Sequence, residues 1–229
     1  MKTIVSDKSI ICRNVVKYIE ELLKKVPNAN IAFSAADLDD EFFCMLVDSC
    51  RAGKIDFSNV KIFSVGEFAS GNVLGADFKT RFLDKVNVRE ENCFLLNGSN
   101  YETYDDLIAS AGGLDLALLG LGSNCRIGFN EPGTPFSSLT HIQDLTEASK
   151  KQLQRFFPAG TEIPKKAVTL GISSIVAAER IVVMAFGNEV SAALFRTMYS
   201  RTDVSTPSAF LQIPYEVTVF ADRDAAGNL

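Results

Sequence analysis

Leu114-Asp115-Leu116-Ala117-Leu118-Leu119-Gly120 is the stretch on which the fold turns, and Leu121-Gly122-Ser123-Asn124-Cys125-Arg126-Ile127-Gly128-Phe129-Asn130-Glu131-Pro132-Gly133 follows it directly. The first part is almost continuously apolar, as a central parallel strand buried on both faces must be. The second part is dense in Gly, Asn and Pro, so the chain leaves the sheet there in turns. Working outward, Asn30–Phe33, Val60–Val65, Phe94–Leu96, Ala167–Ile172, Ile181–Phe186 and Glu216–Phe220 read as further strands. Helical spacing of apolar residues predicts helices over 7–26, Asp37–Cys50 (with Asp37 as N-cap), Ala76–Val86, Ser173–Ala178 and Glu189–Tyr199. Strands alternating with helices predict a three-layer α/β/α sandwich with a mostly parallel, Rossmann-like sheet. Ligands of such sheets sit beyond the carboxyl ends of the strands. The segments to watch are therefore Ser34–Leu38, Gly66–Gly71, Gly122–Gly133 and Gly187–Val190.

Composition narrows the function. The 229 residues are 47% hydrophobic and contain no Pro/Gly/Ser-rich linker, so one domain spanning 1–229 is expected. A net charge of −5 gives no basic footprint for nucleic acid or an anionic membrane. The N-terminus lacks a signal-peptide core and no apolar run reaches the length of a membrane span, which together with five scattered cysteines and no CxxC pair points to the cytoplasm. His141 is the single histidine, so no two-histidine metal site can form within the chain. Neither a metal nor a cofactor is called for.

The string Leu118 to Gly133 resembles the signature of the glucosamine-6-phosphate deaminases, in which a strand ending in Gly-x-Gly runs into an Asp-Gly-His-Ile-Ala-Phe-Asn-Glu-Pro loop. Three more segments are similar in order and spacing. Arg51–Phe57 leads to Phe63-Ser64-Val65-Gly66-Glu67; Pro164 to Ala178 follows a Pro-Lys-x-Ala-x-Thr-x-Gly pattern; Ser208–Gln212 and Val217–Asp222 are shared with the related 6-phosphogluconolactonases. The resemblance spans roughly residues 5 to 226.

It implies an α/β fold and an aldose–ketose isomerisation with loss of ammonia from an amino-sugar phosphate, and it also shows what is missing. The family's carboxylate base falls at Gly66, with Glu67 beside it. Its ring-opening histidine and the supporting aspartate fall at Arg126 and Asn124, leaving Glu131 as the retained acid. Arginine stays protonated and cannot shuttle protons, and catalytic constellations act as a unit. The family's phosphate turn falls at Ser34-Ala35-Ala36-Asp37, followed by Asp39, Asp40 and Glu41, four carboxylates where a dianion would arrive. A phosphate-binding lysine aligns with Val190, and Arg155 is the retained phosphate arginine.

Each of these positions also has a plainer reading. Glu131 is either a residual acid or part of an Asn-Glu-Pro-Gly turn kept for its geometry. Arg126 either binds a ligand or pairs with Glu67 or Glu131 and fills the site. Cys125, beside Arg126, is either an activated thiol or structural; His141 reads as a loop residue, Arg155 as a possible surface residue, and the acidic cluster as a self-capped helix start. Three functions follow: a relative that binds a sugar or sugar phosphate with little or no deaminase activity, a divergent glucosamine- or galactosamine-6-phosphate isomerase/deaminase, or a new reaction on an unphosphorylated ligand. Family members are often oligomers, so a homo-oligomer is a further possibility.

Overall fold

The computed structural model describes residues 1–229. Its elements are β1 (Lys2–Val5), α1 (Lys8–Lys25), β2 (Asn30–Phe33), α2 (Asp40–Arg51), β3 (Lys61–Ser64), β4 (Gly66–Phe68), α3 (Val73–Arg81), β5 (Cys93–Phe94), α4 (Tyr104–Ser110), β6 (Leu116–Gly120), β7 (His141–Asp144), α5 (Glu147–Leu153), β8 (Lys166–Thr169), α6 (Ile172–Val176), β9 (Ile181–Ala185), α7 (Ser191–Tyr199) and β10 (Val217–Ala221). Seven strands form a parallel sheet in the order β1-β10-β9-β6-β2-β3-β5. Three others, β4-β8-β7, form a small antiparallel sheet. The three-layer α/β expectation holds for the large sheet.

Every residue of β2, β6 and β9 is buried, which is why these strands read as apolar runs. One face carries a phenylalanine cluster contributed by β2, α2 and α3. Phe33 lies 5.6 Å from Phe78 and 5.5 Å from Phe82, and Phe43 packs 5.7 Å from Phe78. On the other face Tyr104 packs edge-on to Phe63 and donates to the carbonyls of Ser64 (3.0 Å) and Phe94 (2.6 Å). No helix is long and apolar enough to cross a membrane.

Several boundaries differ from the sequence expectation. Helix α2 starts at Asp40 with Asp39 as its cap, accepting from the Glu41 N–H at 2.9 Å; Asp37 is drawn away by a buried arginine. The helix expected over Ala76–Val86 starts earlier and ends at Arg81, followed by a single 3-10 turn, Leu83–Lys85. The strand expected over Val60–Val65 stops at Ser64, and Gly66–Phe68 joins the second sheet instead. His141 lies on β7 rather than in a loop. Strand β1 and helices α4 and α5 form where the sequence pattern predicts no element.

Along the large sheet the chain moves from β2 to β3 and β5 in one direction and from β6 to β9 and β10 in the other. The reversal between β2 and β6 opens a crevice at their carboxyl ends.

Candidate active site

At that crevice the turn after β2 faces the loop after β6. The Ser34 N–H donates to Leu118 O at 2.9 Å, and the Asp37 and Leu38 N–H groups fold back on Ser34 O. Arg126, only 1% exposed, holds Asp37 through both guanidinium ends: Nη2 to Oδ1 at 2.7 Å and Nη1 to Oδ2 at 3.0 Å. Ser34 Oγ donates to the same carboxylate at 2.8 Å. Burial works against the charge on Arg126, and Asp37, with Glu131 further off, more than offsets it. Of the partners foreseen for Arg126, neither Glu67 nor Glu131 forms the ion pair.

The neighbouring acids are also neutralised. Asp39 meets Lys8 at 2.6 Å and Asp40 meets Arg81 at 2.7 Å; Arg81 also donates to Ala35 O at 2.7 Å. The four-carboxylate turn expected to repel anions is therefore largely charge-compensated by distant cations, which the local sequence could not show.

Glycine and aromatic packing explain how Arg126 fits. A Cβ on Gly122 would collide with Arg126 Cγ, so glycine there makes room for the side chain. The guanidinium lies 5.3 Å from the centre of the Phe129 ring. Phe129 in turn occupies the space beside Gly66: a Cβ on Gly66 would lie 2.7 Å from Phe129 Cδ2 and 2.8 Å from Cε2. Phe129 is the residue that sequence reasoning overlooked, and only the close approach to Gly66 reveals its part.

The two retained glutamates lie behind this layer. Glu131, 1% exposed, accepts from Asn124 Nδ2 (2.5 Å), Thr146 Oγ1 (3.1 Å) and the Thr146 N–H (3.3 Å). Asn130 Nδ2 donates to Ile127 O at 2.8 Å and Leu170 O at 2.9 Å, which fixes the turn that presents Glu131. Glu67, also 1% exposed, accepts the N–H groups of Phe68 (2.7 Å), Leu74 (3.1 Å) and Gly75 (2.6 Å), two of them the free donors of the first turn of α3. Burial pushes the Glu67 carboxyl above its ordinary range while these donors pull it down.

A cavity of about 440 Å³ opens in front of the Asp37–Arg126 pair. Of the residues singled out from sequence, Ala36, Asp37, Asp39, Arg126, Arg155 and Val190 line it; Ser34, Ala35, Gly66, Glu67, Asn124 and Glu131 do not. Arg155 is exposed, with its guanidinium over Phe156 at 5.0 Å and a donated bond to Ala36 O. Lys8, Gln152 and Phe186 also line the cavity from outside the segments singled out above, whereas Glu189 and Asp222 lie within Gly187–Val190 and Val217–Asp222.

Two of the cysteines, Cys12 and Cys125, are buried. Cys125 adopts φ 69° in the loop and is fully buried, and burial pushes its thiol up against the opposing pull of Arg196. Cys12, Asp39 and Glu41 bring potential metal-ligand atoms within 4.8 Å of one another. There, burial and the two carboxylates push the Cys12 thiol up to about 12, and Asp39 is engaged by Lys8.

A parallel α/β sandwich with a charged crevice at a topological switch point defines a class of proteins that bind small polar ligands. Comparison with known proteins narrows it. No family model matches the chain. It is 32% identical to the glucosamine-6-phosphate deaminase of Halalkalibacterium halodurans, over 91% of this chain and 89% of that one. It is 33% identical to that of Bacillus velezensis, over 92% of each. Among solved structures, a monomeric glucosamine-6-phosphate deaminase of the NagB superfamily superposes with a TM-score of 0.95 at 26% identity, covering both chains in full. The 6-phosphogluconolactonase of Trypanosoma brucei superposes at 0.75 with 18% identity, covering all of this chain and 98% of that one, a likeness of fold. The chain belongs to the glucosamine-6-phosphate deaminase family.

Proposed function

We propose that this chain binds a sugar or sugar phosphate in the crevice between the Ser34–Asp37 turn and the β6 loop, with little or no deaminase activity. The observation that carries this reading is the engagement of both retained acids. Each oxygen of Glu131 and of Glu67 accepts from the chain's own donors, and neither carboxylate lines the cavity. A general acid or base must come within hydrogen-bond reach of the proton it moves. The cationic Arg126 lines the cavity where the resemblance places an imidazole, and the Gly66 position offers no side chain.

Membership of the family supports a second reading, a divergent glucosamine- or galactosamine-6-phosphate isomerase/deaminase of carbohydrate metabolism. In that case the Asn124–Glu131 bond would have to open to free the acid. A turnover assay on both hexosamine phosphates and on 6-phosphogluconolactone separates the two. The expected result is no turnover, or a rate more than about a hundredfold below the median enzyme kcat of roughly 10 per second. A faster rate on either hexosamine phosphate establishes the second reading.

A further inference from the structure

We propose that the cavity selects an unphosphorylated ligand bearing a protonated amine, a hexosamine in preference to its phosphate. This rests on the sugar-binding reading above and adds the ligand's chemical class.

The argument is a balance of charges that have counter-ions against those that do not. Three cations line the cavity. Arg126 is held by Asp37 on both guanidinium ends, and Lys8 is held by Asp39. Arg155 alone has no carboxylate partner, and it donates to a backbone carbonyl. Glu189 and Asp222 line the same cavity and neither is in an ion pair. Asp222 accepts from the N–H of Gly187 at 3.0 Å and of Ala225 at 2.7 Å, which fixes its carboxylate without neutralising it. What remains uncompensated is one exposed guanidinium against two carboxylates.

A phosphate monoester entering here meets a single unpaired cation and two like charges, and the buried guanidinium that could have received it already holds an internal carboxylate. At low ionic strength, where exposed charges are least screened, the sign of the balance decides which ligand is drawn in. An ammonium group meets the opposite situation: Glu189 has neither a hydrogen-bond nor an ion-pair partner, and Asp222, though held by backbone N–H groups, adds a second negative charge to the same cavity. Sugar hydroxyls have donors and acceptors in Gln152 and Arg155. Phe186 and Leu121 supply apolar surface for the ring.

The test is calorimetric titration of the full chain at pH 6.5, where an aliphatic amine is protonated, and at low ionic strength, with glucosamine, glucose and glucosamine 6-phosphate. Glucosamine is expected to bind at least about tenfold more tightly than either of the others. Glu189→Gln, a change at an exposed side chain, is expected to shrink that preference below about threefold, and Glu189→Lys to turn it toward the phosphate. Equal or tighter binding of glucosamine 6-phosphate, or of glucose, overturns the amine preference and leaves the sugar-binding reading in place. An undiminished preference in Glu189→Gln overturns the assignment of the carboxylate. Failure of all three sugars to bind overturns both readings.

Discussion

Glu67 and Glu131 are equally buried and differ in what holds them. At the junction of β4 and α3 every partner of Glu67 is a backbone N–H, whereas in the loop after β6 Glu131 is held mostly by the side chains of Asn124 and Thr146. Backbone donors are present whatever residues carry them, so the Glu67 region is a scaffold that depends on one side chain alone. Around Glu131 the network is made of replaceable groups, and it continues through Arg126 to Asp37 in a different element. On the β6-loop side, therefore, a few substitutions can rewire charge without disturbing any strand.

The largest effect should come from breaking that network at its buried ion pair. Asp37→Ala leaves the Arg126 guanidinium, 1% exposed, without a counter-charge. Such changes cost about 3–5 kcal/mol, which urea denaturation would read. Adding Arg126→Met removes the stranded charge, so the double variant should recover most of the loss. A single-variant cost below about 1 kcal/mol, the value of a surface pair, would show that the pair is solvated and that the two regions differ less than the geometry implies.

A steric change on the scaffold side comes next. Gly66→Ala places a Cβ 2.7 Å from the Phe129 ring, and overpacking of this kind costs about 1–3 kcal/mol. Shortening the ring with Phe129→Leu should relieve part of it. If Gly66→Ala is neutral by thermal denaturation, Phe129 yields freely and the wall between Gly66 and the cavity is softer than it looks.

An electrostatic change returns to the loop. Asn124→Asp replaces a donor 2.5 Å from Glu131 Oε2 with a second acid. Two close carboxylates cannot both ionise without penalty, so the variant should lose roughly 1–3 kcal/mol at pH 7 and recover as acidification lets the pair share a proton. A pH-independent loss would mean that the carboxylates separate instead.

The contrast between regions also describes what the sequence could reveal. Buried strands such as Leu116–Gly120 and Ile181–Ala185 were legible because a two-sided parallel strand has an apolar signature. Lys2–Val5 and His141–Asp144 were not, since β1 lies on the sheet edge and β7 buries none of its residues fully. The motif located the β6 loop, but the partners of its residues lie far along the chain. Arg126 meets Asp37 across 89 positions, and Arg81 reaches Asp40 across 41. Local sequence therefore predicts Asp37 as a helix cap in an uncompensated acidic turn, whereas tertiary pairing neutralises most of that charge. Phe129 carries no local signal, because nothing in one sequence shows that an aromatic ring takes the room left by a glycine.

The smallest expected effect is a slope with pH, and it probes the scaffold side. Burial holds the folded Glu67 carboxyl above its ordinary value of 4.5, so the folded chain binds this proton more tightly than the unfolded chain does. Stability contributed by Glu67 is then present below 4.5 and is lost as pH rises through the raised folded value. Glu67→Gln cannot titrate and lacks this contribution. The stability difference, wild type minus variant, measured by urea denaturation at several pH values, should therefore grow as pH falls from 7 toward 4.5. A difference that shrinks on acidification would mean that the three backbone donors outweigh burial and that Glu67 is held as a stabilised anion. The scaffold region would then resemble the loop in being electrostatically set, and the distinction between the two would rest on the identity of the donors alone.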